Sequence, residues 1–177
     1  MEHRIKMIGL DLDGTVLTEK KELTDRTKAA ISKALAQGVV VLVATGRPWM
    51  GVPEELRDFP GMRYALTSNG ARIIDTVEGR VIEEHLLFPR LAQKVLEICG
   101  KYDTLQEVYF DGQGYAPADQ MAVVERYHKN PSMCEYMRKT RIPVEDIGVL
   151  VKKENRGLDK VQALFADMDE RELAWRE

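Results

Sequence analysis

The sequence predicts an α/β protein in which a parallel sheet is followed by a separate α+β unit. Three observations carry this reading. Short apolar runs alternate with helix-period stretches from Arg4 to Thr67, the pattern of strands joined by helical crossovers. Each run ends at polar residues, Asp11, Thr45 and Asn69, where open α/β sheets place their ligand sites. After Gly70 the spacing changes to paired short runs around glycine-containing turns, which is hairpin spacing.

The first run, Arg4 to Leu10, carries Ile5, Met7, Ile8 and Leu10 and stops at two aspartates. It reads as a buried strand with Asp11 at its C-terminal end. Thr24 suits a helix N-cap, since its hydroxyl can accept a first-turn N–H, and Asp25 suits the positive helix end. Ile31, Ala34, Leu35 and Gly38 follow at helical spacing, with Gly38 at the stop. Val39 to Ala44 is a continuous, largely β-branched run, typical of a parallel strand covered on both faces. Thr45-Gly46-Arg47-Pro48 breaks it. Pro53 with Glu54 and Glu55 opens a short helix that Pro60-Gly61 closes. Tyr64 to Thr67 is the third strand, ending at Ser68-Asn69-Gly70.

From about Ala71 the chain reads as a separate unit, which divides it into residues 1–70 and 71–177. Residues 71–75 and 80–84 flank Glu78-Gly79 and predict an antiparallel hairpin. Leu91, Val95, Leu96 and Cys99 mark a helix after Pro89. Residues 107–110 and 115–116 flank Asp111-Gly112, a second hairpin signal. Met121, Val124, Tyr127 and His128 predict another helix, stopped near Asn130-Pro131. Leu158 to Met168 fits both a helical stripe and an alternating strand, and periodicity does not choose between them. Lys152, Lys153 and Lys160 are expected in solvent.

Composition removes several function classes. Lysine and arginine number 26 against 29 acidic residues, a formal net charge of -3. Nucleic acid and anionic membranes both need a clustered positive surface, which this balance does not suggest. No apolar run approaches the ~20 residues of a membrane span. The N-terminus Met1-Glu2-His3-Arg4-Ile5 leads into Asp11 and Asp13 with no signal-peptide core between. Cys99 and Cys134 lack metal-ligand spacing and read as free thiols of a reducing cytoplasm, so a cytoplasmic location is expected.

The chemistry concentrates at Asp11 and Asp13. Two carboxylates this close at the end of a strand repel unless a divalent cation or a shared proton offsets the charge. A carboxylate can accept a phosphoryl group as an aspartyl-phosphate that water later cleaves. Mg²⁺ would relieve the repulsion between an anionic attacking oxygen and an anionic phosphate, and it prefers oxygen ligands. The second aspartate could protonate the leaving alkoxide and then activate water. Asp-x-Asp-Gly is also a common turn sequence and resembles the start of a calcium loop, but Thr15-Val16-Leu17 lacks the alternating oxygen ligands such a loop needs. The Thr45 hydroxyl and the N–H groups of Gly46 and Arg47 could hold phosphate oxygens, or this loop could simply end a strand. Asn69-Gly70 reads equally as a third contact or as a turn.

Asp-Leu-Asp-Gly-Thr at 11–15, Ala-Thr-Gly-Arg-Pro at 44–48 and Ser-Asn-Gly-Ala at 68–71 occur in order. Together they resemble the Cof-type branch of the haloacid dehalogenase (HAD) superfamily, which includes sugar-phosphate and flavin-mononucleotide-type phosphatases. The resemblance implies the N-terminal part of a HAD-like Rossmannoid core followed by a partial α/β cap that selects substrate. It implies Asp11 as nucleophile and Mg²⁺ ligand. Asp13 would be the general acid/base, with its carbonyl on the metal. Leu12 would contact phosphate through its backbone, with Thr45, Gly46, Arg47 and Asn69 around the substrate. It also implies a strand from Lys160 to Ala166. The implied substrate is a small phosphorylated metabolite.

Family members return to the core after the cap with a phosphate-binding lysine and a Gly-Asp-x-x-Asn-Asp motif. No Gly-Asp pair occurs in this sequence. Two expectations therefore stand: a Mg²⁺-dependent phosphomonoester hydrolase, or a catalytically incomplete fragment or non-enzymatic relative. With two core strands missing, the strand carrying Asp11 becomes an edge, and an apolar edge predicts self-association.

Overall fold

A computed structural model gives the structure of residues 4–177, so the Met1–His3 part of the N-terminal reading lies outside the described residues. The chain forms two compact units, Met1–His85 and Leu86–Glu177. In the first, β1 (Met7–Leu10) is followed by α1 (Asp25–Ala36), β2 (Val40–Ala44), α2 (Glu54–Arg57) and β3 (Tyr64–Thr67). The Thr24 hydroxyl accepts the Thr27 N–H at 3.2 Å, which fixes the start of α1 where the cap residue placed it. The three strands are parallel, with β2 in the middle. Val41 and Val43 of β2 are buried with Ala65 of β3, Ile31 of α1 and Leu56 of α2. One face of β2 therefore has the covered surroundings its apolar run predicts, while Val40, Leu42 and Ala44 on the other are only half-buried.

The hairpin β4 (Arg72–Asp75) and β5 (Arg80–Glu84) forms as expected, but it hydrogen-bonds to β3 and extends the same sheet. The sheet order is β1-β2-β3-β4-β5, so the division expected after Gly70 falls inside the first unit, which runs to His85. Strand β1 is at one edge. It is shorter than the Arg4–Leu10 run, and Met7 is 59% exposed.

The second unit contains α3 (Pro89–Cys99), β6 (Thr104–Phe110), β7 (Gln113–Pro117), α4 (Ala118–Ala122), α5 (Pro131–Thr140), β8 (Arg141–Val144), α6 (Ile147–Glu154), β9 (Lys160–Phe165) and α7 (Met168–Trp175). Its sheet order is β8-β7-β6-β9. Two apolar clusters flank β6. Val108 and Phe110 pack with Ala92 and Leu96 of α3 and Val151 of α6, while Leu105 packs with Met121, Cys134 and Met137 from α4 and α5. Alternate residues of β6 thus feed different cores, as a strand covered on both faces must.

Within the ambiguous Leu158–Met168 segment, Lys160–Phe165 is a strand, β9, paired antiparallel with β6 along its whole length, and Met168 opens α7. The helix expected from Met121 to His128 is broken into α4 and a 3-10 turn at Val124–Arg126. Asn130-Pro131 starts a helix instead of only ending one. The Asn130 side chain accepts the Met133 N–H at 3.3 Å, and Pro131 occupies the first turn. Lys152 and Lys153 are exposed as expected, but Lys160 is not a fully solvated lysine: it is half-buried, with Nζ 4.4 Å from the centre of the Tyr109 ring. Both cysteines are free and buried. No helix among the described residues is long and apolar enough to cross a membrane.

Candidate active site

The loop after β1 begins at Asp11. Leu12 is fully buried in the first unit's core and anchors the loop, while its carbonyl accepts the N–H groups of Val16 at 3.1 Å and Leu17 at 2.9 Å. Gly14 takes a φ of 79°, a left-handed conformation that glycine adopts at little cost and that folds the chain back past the two aspartates. Asp11 is exposed, and its Oδ2 accepts the Thr15 hydroxyl at 2.7 Å, which orients the carboxylate.

Asp13 has a different environment. Arg47 grips it with two bonds, Nε to Oδ2 at 2.7 Å and Nη2 to Oδ1 at 2.8 Å. Lys21 adds a third, Nζ to Oδ1 at 2.8 Å. The bond from Arg47 is the largest cause, and with Lys21 it outweighs partial burial to hold the Asp13 carboxyl down at about 2. Asp13 is therefore ionised at neutral pH. So low a value makes it a weak base while Arg47 and Lys21 hold it, and proton transfer through it would need that hold to loosen.

The loops after β2 and β3 are laced to this site. The Thr45 hydroxyl accepts the Arg47 N–H at 3.2 Å, and Arg47 Nη1 donates to the Gly51 carbonyl at 2.8 Å. Asn69 N–H donates to the Thr45 carbonyl at 3.2 Å, and Ser68 N–H to the Arg47 carbonyl at 2.8 Å. Ser68 and Asn69 have φ of 51° and 59°, and Gly70 has 92°. A Cβ at Gly46 would lie 2.6 Å from Asn69 Oδ1, so glycine there leaves room for the Asn69 side chain. Asp13, Thr45, Gly46, Arg47 and Asn69 are thus joined by bonds and contacts. Asp11 and Leu12 lead into Asp13 along the same loop.

Two features escaped the sequence reading. Lys21 reaches Asp13 only because residues 18–22 form a tight turn, in which Thr18 N–H bonds the Glu22 carbonyl and Lys21 N–H bonds the Thr18 carbonyl. Nothing in the sequence separates it from its neighbour Lys20. The Thr67 and Ser68 hydroxyls, at the end of β3, are buried with no hydrogen-bond partner.

Fold and site together define an α/β protein with paired aspartates at the tip of its first parallel strand. The haloacid dehalogenase-like hydrolase family matches residues 8–174, and the chain belongs to that family. Among solved structures it is similar to a haloacid dehalogenase-like hydrolase from B. subtilis, with a TM-score of 0.80, 21% identity, and 97% of this chain and 66% of that one covered. It is also similar to a HAD subclass IIB sugar phosphatase, with a TM-score of 0.75, 17% identity, and 97% and 62% covered. Among curated relatives, a Bacillus subtilis 5-amino-6-(5-phospho-D-ribitylamino)uracil phosphatase is 31% identical over 100 residues, covering 56% of this chain and 40% of that protein. A Klebsiella pneumoniae HMP-PP phosphatase is 28% identical over 109 residues, covering 62% and 39%. The matched segment is thus about two-fifths of these two curated relatives.

Proposed function

We propose that this chain carries the nucleophile-bearing part of a Mg²⁺-dependent phosphomonoester hydrolase that acts on a small phosphorylated metabolite such as a sugar phosphate. The observation that carries the reading is the contrast between the two aspartates. Asp11 is exposed and oriented by Thr15, and Asp13 is fixed in its ionised form by Arg47 and Lys21. One carboxylate is presented to a ligand, and the other is held beside it, ionised and gripped by two cations.

In this reading Asp11 attacks phosphorus and forms an aspartyl-phosphate as the P–O bond to the alcohol breaks and the departing alkoxide takes a proton from solvent. Water then cleaves the aspartyl-phosphate and releases phosphate, and Asp13 would take that water's proton once Arg47 and Lys21 loosen their hold on it. Its carboxylate is turned to cations, so its part in holding a metal is its main-chain carbonyl. Among the described residues no group of three or more Asp, Glu, His or Cys side chains gathers to hold a metal. The donor set offered here is the Asp11 carboxylate and the Asp13 carbonyl. Mg²⁺ accepts such a set, because it is commonly held by one or two protein oxygens with water completing its shell. When bound it would reduce the repulsion between Asp11 and the phosphate. Thr45, the Gly46 N–H and Asn69 would receive the phosphate oxygens, and the Arg47 N–H would join them on leaving the Thr45 hydroxyl.

The test is hydrolysis of a generic aryl phosphate by this chain, with and without Mg²⁺, beside Asp11→Asn. Release that needs both Mg²⁺ and Asp11 is the expected result. Release unchanged in Asp11→Asn would refute the assignment of the nucleophile.

A further inference from the structure

Strand β6 departs from its own pattern at one end. Val108 and Phe110 on one face pack with Ala92 and Leu96 of α3 and Val151 of α6. The same face continues through Gln106 and Thr104, so an apolar stripe ends in two polar residues. Strand pairing stops at the same level. β6 and β7 pair from Phe110 with Gln113 to Val108 with Tyr115, and Pro117, two residues further, has no N–H to continue the ladder. The Gln120 side chain accepts the Gln106 N–H instead, at 3.2 Å. A cavity of about 370 Å³ opens there, lined from α3, from the end of β7 with α4, and from α6.

Gln106 lines this cavity and is only 9% exposed. Its Nε2 donates to the Thr104 hydroxyl at 3.1 Å, while its Oε1 receives no hydrogen bond among the described residues. An apolar side chain would continue the stripe without leaving an acceptor unmet. Four carboxylates surround the same space, Glu97, Asp119, Glu145 and Asp146, against the single ammonium of Lys152. All four are exposed, and none makes an ion pair among the described residues. Asp119 accepts the Gln120 N–H and Asp146 the Val149 N–H, each through Oδ1. The carboxylates do not converge: no group of three or more acidic, His or Cys side chains among the described residues could hold a metal ion. One small ion therefore cannot meet them together. A chain of methylenes bearing separated ammonium groups can, with its carbons against the buried Leu96 and Ile147.

We infer that this cavity is a binding site for a small organic polycation, a diamine or polyamine, held by the separated carboxylates and by the Gln106 amide oxygen. Each ammonium makes a charge-assisted bond to a carboxylate, and one N–H supplies the donor that Gln106 Oε1 lacks. The volume lies in the range of small-molecule sites, about 300–1,000 Å³. The site lies wholly in the second unit and does not rest on the hydrolase reading.

The experiment is isothermal titration calorimetry of the full chain with spermidine, in sodium chloride of about 150 mM so that distant charges are screened. n-Butylamine, with one ammonium, and magnesium chloride are titrated beside it. Saturable one-to-one binding of spermidine is expected, at least about tenfold tighter than either comparison. Glu97→Gln and Gln106→Leu should each weaken it about tenfold, the loss of one bond to a charged group. Glu97 is exposed, so Glu97→Gln decides the matter even if Gln106→Leu does not fold. No saturable binding, an affinity unchanged in Glu97→Gln, or n-butylamine or Mg²⁺ binding as tightly as spermidine overturns the inference. Asp11→Asn separates the site from the hydrolase reading: it removes the nucleophile and should leave spermidine binding intact, and loss of binding there would move the site to Asp11 and overturn the inference.

Discussion

Replacing Arg47 by methionine tests the central contact of the site. The arginine is 5% exposed and makes two bonds to Asp13 and one to the Gly51 carbonyl. Asp13 is held near 2 from an ordinary 3.8, with the Arg47 bond the largest cause. Taken whole, that shift corresponds to about 2.5 kcal/mol. Asp13 is about a third exposed and Lys21 retains a share, so solvent screening leaves about 1 kcal/mol for Arg47. The Gly51 carbonyl loses its donor for about 1 kcal/mol more, giving a total near 2 kcal/mol. The pH dependence has a definite sign. A depressed folded-state pKa contributes stability that is fully present above the unfolded value of 3.8 and is lost as pH falls through about 2. The gap between wild type and Arg47→Met should therefore be flat near neutrality and shrink as pH falls below about 4. Urea unfolding followed by Trp49 fluorescence, in a Trp175→Phe background, reports on the first unit alone. A gap that stays constant down to about pH 3, or one below about 0.5 kcal/mol at neutral pH, would refute the reasoning.

Two further outcomes follow from packing. Gly114→Ala drives a methyl into the buried Arg141 and Tyr109 side chains and should destabilise the second unit by about 1–3 kcal/mol, measured by urea unfolding; a variant as stable as wild type would show that those side chains can yield. The exposed edge at β1 should support self-association that Met7→Lys weakens, because a charge on an edge strand opposes pairing. Sedimentation velocity decides, and a clean wild-type monomer would sink that expectation.

The parallel part of the first sheet was legible because its signals are local, whereas the pairing of the hairpin β4–β5 onto β3 was not. Thr24 caps the helix it precedes, and the β-branched run at Val40–Ala44 needs no distant partner to be recognised. The second unit was less legible for identifiable reasons. Asn130-Pro131 can close one helix or open the next, and here the Asn130 side chain turns to the following turn and opens α5. The β9 segment satisfies both periods, and its pairing with β6, more than fifty residues earlier, decides for the strand. At the site, Asp11, Asp13, Thr45 and Arg47 stand out in sequence because each follows a strand. Lys21 does not, since its position depends on a turn, and in the second unit the buried Glu107 and Arg141 meet across 34 residues of chain.

Arg47 engages the other two loops at once. Its side chain fixes the loop after β1, its carbonyl takes the N–H of the loop after β3, and its own backbone lies in the loop after β2. The spacing between these loops is thus set in good part by the dimensions of one residue, together with the Asn69–Thr45 bond and the buried Leu12 anchor. If the loop after β2 shifts, both neighbours are drawn with it, and the shape of the site survives a displacement that would separate loops fixed one at a time. Errors of alignment among the three loops become common-mode, and tolerance to substitution elsewhere in the sheet should be correspondingly wide.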